Sequence, residues 1–430
     1  MLFSAMQLLL AVVIVLFLLM LMRVPISFSL CIATIVGVFL TAKLPVTIVV
    51  QRMYNSLDSF TLIAVPLFIL TGNIMAMGGV TNDLLAFSDV FVGRFRGGLA
   101  YVNVLQSMIF AGITGTAQAD TASEGSIVIP AMVKKGYDED FTVAVTAASS
   151  TIGILIPPSI PMVLFGIAGG VSIGSLFAGG LLPGILFGLA QMVIVFFVSR
   201  RRNYPREKGH PLKESLRICL KAIPSLMTIV IIIGGTATGF FTATEASAIA
   251  CIYSLLLGVF YYKELHWKDV PRLILEAAKT MGISALMISA AAALSWFLTS
   301  QGIPKALTEA LLSITDNRVV IILLINLILI VVGMFFDLAP AVTLFTPILL
   351  PIATAIGLNP IHFGVMMVVN LAIGLITPPV GVCLFLGCSI AGTTISKVMK
   401  GFLPFYIVLL IVLILIAFVP ELSLWIPSMM

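Results

Sequence analysis

Apolar residues run in long blocks through this 430-residue chain, and the blocks define its elements. Stretches 4–22 and 26–42 are apolar throughout and flank Arg23, Val24 and Pro25. Each approaches the ~20 residues that a helix needs to cross a bilayer. Segments 61–78 and 173–199 are of the same kind, as are 222–239, 243–262, 282–299 and 402–420 in the second half. Mixed segments lie between them. Segment 46–60 holds Arg52 and Asp58, and 82–96 holds Asn82, Asp83, Asp89, Arg94 and Arg96. Both predict amphipathic helices at the membrane surface, and 263–281 and 303–316 read the same way.

Two regions depart from this pattern. Stretches 99–112 and 125–133 are apolar but too short to span, and a polar patch, GITGTAQADTASEG at 112–125, joins them. Lipid offers backbone groups no partner, so such a pair predicts a re-entrant hairpin sheltered by protein. Stretch 318–356 predicts a second hairpin, turning at GMFFDLAPAVT, 333–343. Segments 139–170 and 360–390 are long enough to span. Gly153 with Pro157 and Pro158 interrupts the first, and Gly374 with Pro378 and Pro379 the second. Proline removes a donor and frees an upstream carbonyl, so both predict broken helices.

A shift of 221 positions superimposes the halves. It pairs Gly112 with Gly333, Pro130 with Pro351, Gly136 with Gly357 and Gly153 with Gly374. It also pairs Pro157 and Pro158 with Pro378 and Pro379, and Gly166 with Gly387. Chance gives roughly one such coincidence in windows of this size, so the seven pairs mark an internal repeat. Each half has five crossings and one hairpin, and an odd number inverts the second copy. The fold class expected is therefore all-α: a polytopic membrane protein with inverted repeats, two re-entrant hairpins and two broken helices. Its division would be scaffold helices and an interfacial arm over 1–60, then a first transport repeat over 61–199. A basic loop over 200–221, a second scaffold part over 222–281 and a second transport repeat over 282–420 would follow.

Composition and charge sharpen this reading. The chain is 60% hydrophobic and only 10% charged, which a soluble globule cannot bury. Its net charge of +5 is gathered in short clusters, so a nucleic-acid surface is not indicated. The strongest cluster runs from Arg200 through Arg201, Arg202, Arg206, Lys208, Lys213 and Arg217 to Lys221, against Glu207 and Glu214. The positive-inside rule places it in the cytoplasm. Counting crossings then puts Arg94, Arg96, Lys134, Lys135, Lys263, Lys268, Arg272, Lys397 and Lys400 on the same side, with both termini outside. The apolar run Leu8–Met22 precedes Arg23, the reverse of a signal peptide, and reads as a retained helix. The five cysteines form no CxxC pair and the three histidines no HExxH, so neither a metal–redox site nor a cofactor is expected.

The hairpin tips and broken helices hold the chemistry. Carbonyls freed at a break, with Ser and Thr hydroxyls, are oxygen ligands for a hard monovalent cation such as Na⁺. Half-helix N-termini turn partial positive charge toward an anion. Asp120 and Asp337 each cost about 2.5–3.5 kcal/mol at a helix centre, which calls for a partner or a role. Plainer readings compete. The breaks fit simple kinks, and Ser or Thr in a membrane helix bonds the preceding turn. Asp120 fits an N-cap of the hairpin's second helix, Glu124 a first-turn charge, and Glu245 a buried structural carboxylate or helix-start residue. Trp267, Trp296 and Trp425 fit interface anchors. GVSIG at 170–174 matches a serine-hydrolase elbow around Ser172, but it joins two membrane helices with no histidine near. No Walker A sequence is present, so the chain reads as neither enzyme nor ATP-driven pump. A Na⁺-independent anion carrier or channel is the alternative.

Four motifs together resemble the large membrane subunit of TRAP transporters, the tripartite ATP-independent periplasmic carriers. They are SSTIGILIPPSIPM at 149–162, NLAIGLITPPVG at 370–381, TATEA at 242–246 and FDLAP at 336–340. The likeness covers essentially the whole chain and leans toward the sialic-acid members. It implies an elevator-type symporter in a bacterial inner membrane, with Na⁺ as coupling ion. It further implies a small four-helix membrane subunit, a periplasmic substrate-binding protein and an organic anion as cargo, a sialic acid or a C4-dicarboxylate. The first tip departs from the pattern, with Thr114 and Thr116 where many relatives have serines. On this reading Thr114, Thr116, Ser149, Ser150, Thr151 and Gly153 form one cation site. Gly333, Asp337, Asn370, Gly374 and Thr377 form the other. The substrate is expected between the tips, near Thr116, Asp120, Pro157, Pro158, Pro378 and Pro379.

Overall fold

The computed structural model describes residues 4–41, 44–206, 209–315 and 317–430, with the backbone alone at 81, 111–114, 237, 311, 312 and 314. The described residues are helical, with no strand among them. Helices α1 (Ala5–Leu21) and α2 (Ile26–Thr41) open the chain, and the amphipathic α3 (Thr47–Leu57) follows. A 3₁₀ turn, Phe60–Ile63, leads into α4 (Ala64–Met77), and α5 (Val80–Val92) precedes the first hairpin, α6 (Gly98–Thr114) and α7 (Ala117–Lys134). The first broken helix is α8 (Glu139–Ser150), a 3₁₀ turn Thr151–Ile154, and α9 (Ile160–Gly169); α10 (Ile173–Arg201) ends the half. The second half runs α11 (Leu212–Ala237), α12 (Ala243–Leu256), α13 (Val270–Ser300) and α14 (Ile303–Ile314). Then come the hairpin α15 (Arg318–Phe335) and α16 (Leu338–Ala355), the broken helix α17 (Pro360–Gly374) and α18 (Val382–Ala391), and α19 (Ile395–Phe418). Eight described helices are long and apolar enough to cross a membrane.

The repeat is physical. Adding 221 to the bounds of α7, 117–134, gives 338–355, the bounds of α16. The same shift carries α6, α8, α9 and α10 onto α15, α17, α18 and α19 within a few residues. Both hairpins turn within the polar patches at 112–125 and 333–343, and both breaks fall at the Gly and Pro–Pro interruptions. The halves also interlock: α7 packs on α18, α16 on α9, α19 on α8 and α10 on α17. Around this block, α2, α3 and α12 pack against α4 and α13. Helix α13 also lies along α16, joining the two parts.

Three elements differ from the sequence reading. The basic stretch 200–221 is mostly helical, because α10 runs to Arg201 and α11 begins at Leu212. Leu212, Leu216 and Leu220 alternate with Lys213, Arg217 and Lys221, a pattern that continues a helix rather than ending it. Segments 263–281 and 282–299 fuse into the single 31-residue α13. Their counterparts, α3 and α4, are parted at Asp58 and Ser59, side chains that compete for backbone bonds. The shift puts Lys279 and Thr280 there instead, and the helix runs on. Helix α12 ends in a π-helical turn, Leu257–Tyr262, where Gly258 meets Gly78.

Several smaller expectations resolve at once. Glu245 is an exposed helix-start residue, in a capping box with Thr242. Ser172 caps α10, accepting from the Ser175 N–H at 3.3 Å. Arg52 stacks over Trp296, 4.6 Å from the ring centroid. Trp267 and Trp425 are exposed. At the other end of the block Arg202 pairs with Asp138 and Asp140 at 2.9 and 2.6 Å. Asp83 pairs with Lys221 at 2.7 Å and Asp89 with His210 at 2.8 Å, tying α5 to the segment that opens α11. The hydrogen bond to Asp89 holds the His210 imidazole above its usual pKa.

A close backbone-to-backbone approach joins the second hairpin to its break. A Cβ added at Gly374 would sit 2.5 Å from the Gly333 Cα, with no side-chain end to move aside. Gly374→Ala should therefore lower the melting temperature of the purified protein, by the equivalent of about 1–3 kcal/mol of overpacking. Gly282→Ala is the control, since a Cβ there meets nothing within 4 Å along α13. It should hold or raise the melting temperature. Equal tolerance of both substitutions would refute this packing.

Candidate functional site

The two tips are built alike. In the first, Gly115 turns the chain at a φ of +62°, and a Cβ there would lie 2.7 Å from the Pro158 carbonyl oxygen. The Ile160 N–H donates to the Gly115 carbonyl at 3.3 Å, clamping tip to break. In the second, the Val380 N–H donates to the Met334 carbonyl at 3.3 Å. Thr116 caps α7 by accepting from the Ala119 N–H at 3.3 Å. Asp337 caps α16 by accepting from the Leu338 N–H at 2.8 Å.

The broken helices keep their freed carbonyls satisfied. Pro158 leaves the Ile154 carbonyl without its helical donor, and the Ser159 hydroxyl donates to it at 2.6 Å. Pro379 does the same to the Leu375 carbonyl, which accepts from the Cys383 N–H at 3.0 Å. The Tyr406 hydroxyl donates to the Ile376 carbonyl. Gln191 from α10 donates to the Ala148 carbonyl at 3.1 Å. Both Pro–Pro peptide bonds are cis.

The N-termini of α7, α9, α16 and α18 open on one cavity of about 570 Å³. Thr116, Gln118, Ile160, Asp337, Leu338 and Val382 represent them in its wall, and Val65 of α4 with Thr280, Ser284 and Met287 of α13 form the facing side. Among the described lining residues Asp337 alone is ionisable. A second cavity of about 400 Å³ lies beside it, lined by Asn55, Ser59, Ser295, Trp296 and Thr343. Leu164 and Ile288 line both, and so stand between them.

The first group of expected cation ligands gathers around α8. The Ser149 hydroxyl donates to Asn103 at 3.2 Å and lies 3.0 Å from the Ser107 hydroxyl oxygen. Ser150 donates to the Thr146 carbonyl at 2.8 Å and Thr151 to the Ala148 carbonyl at 2.6 Å, bonds to the preceding turn. Gly153 lies in the 3₁₀ turn against which α6 packs. The side chain of Thr114 lies outside the described residues. In the second group Gly333 touches Gly374, and Asn370 donates to both oxygens of Asn326, at 2.9 and 2.8 Å. Ser149 and Asn370 are repeat mates, so the same step of each broken helix is pinned to the first arm of its own hairpin. Thr377 donates to the Ile373 carbonyl at 2.7 Å. Among the described residues no group of three or more His, Cys, Asp or Glu side chains is placed to hold a metal ion.

Of the residues expected around substrate, Thr116 lines the cavity, while Asp120, Pro157, Pro158, Pro378 and Pro379 are not among its described lining. Helix α7 turns Asp120 toward α6, where it is fully buried and accepts from Ser107 at 3.0 Å. Nor does it cap α7, since Thr116 does. Glu124 is not a first-turn charge. It lies two turns into α7, buried, with Oε2 3.2 Å from the same serine's hydroxyl oxygen. The i, i+4 spacing of Asp120 and Glu124 was the available signal for one shared face. Gln118 was missed altogether. Its amide donates to Asp337 at 2.6 Å, from one tip to the other.

Comparison with known proteins places this architecture. The family described as "Tripartite ATP-independent periplasmic transporter, DctM component" matches residues 13–422. The chain is 41% identical to the uncharacterized protein YgiK of Salmonella typhimurium, over 94% of each chain. It is 37% identical to the sialic acid TRAP transporter large permease protein SiaM of Vibrio cholerae, over 94% of this chain and 95% of that one. It is 36% identical to the C4-dicarboxylate TRAP transporter large permease protein DctM of the same organism, over 96% and 95%. The crystal structure of the Alcanivorax borkumensis YdaH transporter shares its fold, with a TM-score of 0.63 over 86% of both chains at 15% identity. With two matched hairpins, two matched breaks and this family match along nearly its whole length, the chain belongs to the DctM family of TRAP transporters, as a multi-pass large permease subunit.

Proposed function

We propose that this subunit imports an organic anion, a sialic acid or another carboxylate such as a C4-dicarboxylate, across a bacterial inner membrane by coupling to Na⁺. A periplasmic binding protein would deliver the anion, and a small four-helix membrane subunit would complete the carrier. The observation that carries this reading is the cavity at which four helix N-termini meet with no cationic side chain among its described lining. Each N-terminus favours an anion by about 0.3–1 kcal/mol, and by ~2 in buried geometry. Ionised Asp337 opposes that anion by about 3 kcal/mol at ~6 Å and an effective dielectric of ~20. Four ends at ordinary exposure sum to about 1–4 kcal/mol, the same order as that repulsion, so a cation beside Asp337 decides whether the anion stays. That is symport stated as electrostatics.

Transport then requires the loaded cavity to change sides. The hairpins and broken helices interlock into one block, while α2, α3 and α12 hold the surrounding helices. The motion proposed is rigid travel of the block along α13, with Leu164 and Ile288 as the apolar wall between the two cavities.

Three measurements test this reading. In proteoliposomes with both partners, uptake should require Na⁺, and Asp337→Asn should reduce it about tenfold or more while the small subunit still co-purifies. Near-normal Na⁺-driven uptake by that variant would remove Asp337 from coupling, and Na⁺-independent uptake by the wild type would favour the uncoupled carrier. For orientation, an impermeant thiol reagent applied to intact cells should label Ser428→Cys and spare Asn203→Cys in a cysteine-free background. Labelling at 203 would overturn the assigned sides. For the motion, Leu164→Cys should cross-link to Ile288→Cys in one state. In the other it should cross-link to a residue further along α13, such as Ala292 or Ser295, an offset of one or more turns of ~5.4 Å. The same partner in both states would exclude the elevator.

A further inference from the structure

Gln118 joins the two tips without belonging to either set of cation ligands. It stands in the first turn of α7, two residues after the cap Thr116. Its Nε2 donates to Asp337 Oδ1 at 2.6 Å, bridging positions 219 residues apart and opposite repeats. The same oxygen accepts from the Leu338 N–H at 2.8 Å. Both side chains are part-buried and line the 570 Å³ cavity. Two N–H groups therefore point their positive ends at the carboxylate oxygen that a cation would seek. A carboxylate oxygen has two lone pairs and these two donors already occupy them, so a cation approaching Oδ1 competes with the amide N–H.

Resting on the Na⁺-coupled reading above, we infer that Gln118 is the positioning residue that links the cation to the substrate. Without a cation its amide is held by Asp337. When a cation reaches Asp337, the amide is displaced and its N–H groups turn into the cavity. There they donate to the anionic group of the substrate, beside the N-terminus of α7. An amide suits this exchange because it is uncharged and carries two donors and an acceptor on one flexible stem. A lysine would hold Asp337 permanently, and an apolar residue would answer to neither load.

The purified complex in detergent tests this, with Na⁺ titrated against choline at constant ionic strength and thermal stability as readout. Removing the competing donor in Gln118→Leu should lower the half-saturating Na⁺ concentration about ten- to a hundredfold, the scale of a hydrogen bond to a charged group. Gln118→Met, closer in shape, should do the same and serves if the leucine variant fails to fold. In reconstituted uptake at saturating Na⁺, KM should rise about tenfold with the maximal rate within about twofold. The probe is whichever of N-acetylneuraminate and succinate the wild type takes up. A merely structural glutamine would weaken the fold without tightening Na⁺, so unchanged or raised half-saturation in both variants overturns the inference. A wild type that Na⁺ stabilises no better than choline overturns the Na⁺ reading with it, and that result is visible before any variant is made.

Discussion

A hydrocarbon interior gives an exposed N–H or C=O nothing to bond, and this fold is arranged around that constraint. Unwound backbone at 155–159 and 375–381 persists because other parts of the chain complete its hydrogen bonds. Ser159 serves the Ile154 carbonyl, Cys383 the Leu375 carbonyl and Tyr406 the Ile376 carbonyl. Each break needs a hairpin tip against it, and each tip needs a break. Each repeat completes these bonds within itself, Gly115 meeting Ile160 and Met334 meeting Val380, and the packing of α7 on α18 and of α16 on α9 joins the two repeats into one block.

On the proposed import of an anion, the same constraint gives the cavity unusual electrostatics. Its positive potential comes from helix ends, which are fixed in direction and cannot follow a departing anion. A flexible arginine could hold the cargo in both states and delay release. Helix ends give a modest, oriented attraction instead, small enough for one neighbouring charge to reverse. Placing a lone carboxylate at the cap of α16 uses that narrow margin.

Much of this was legible in the residues. The shortened apolar runs at 99–112 and 125–133 gave the first hairpin, stretch 318–356 with its turn at 333–343 gave the second, and the Gly and Pro coincidences at a 221-residue shift matched the two. The bounds of α7 and α16 then agree to the residue. Helix continuity was harder to read. Nothing in the composition of 263–299 separates an amphipathic stretch followed by a span from one long helix, and the decision fell to Lys279 and Thr280 standing where Asp58 and Ser59 part α3 from α4. Side-chain direction was the least legible. Asp120 and Gln118 lie two positions apart on α7, yet the first turns into the hairpin and the second into the cavity. A rotation of about 200° over two residues separates them, and only the packing of α6 fixes its origin.

The unequal joining of α3 to α4 and of α13 to itself bears on the direction of the resting carrier. Two identical repeats, inverted in the membrane, would make the two end states mirror images of equal energy, and an unloaded carrier would rest equally in both. Here one repeat hangs from a jointed arm, while its mate hangs from an unbroken rod of 31 residues, about 46 Å long. Bending at a joint and bending a rod store different elastic energies for the same displacement. On the travel proposed above, the degeneracy would be broken in the covalent chain itself, and the empty carrier would prefer one side before any ion gradient acts on it.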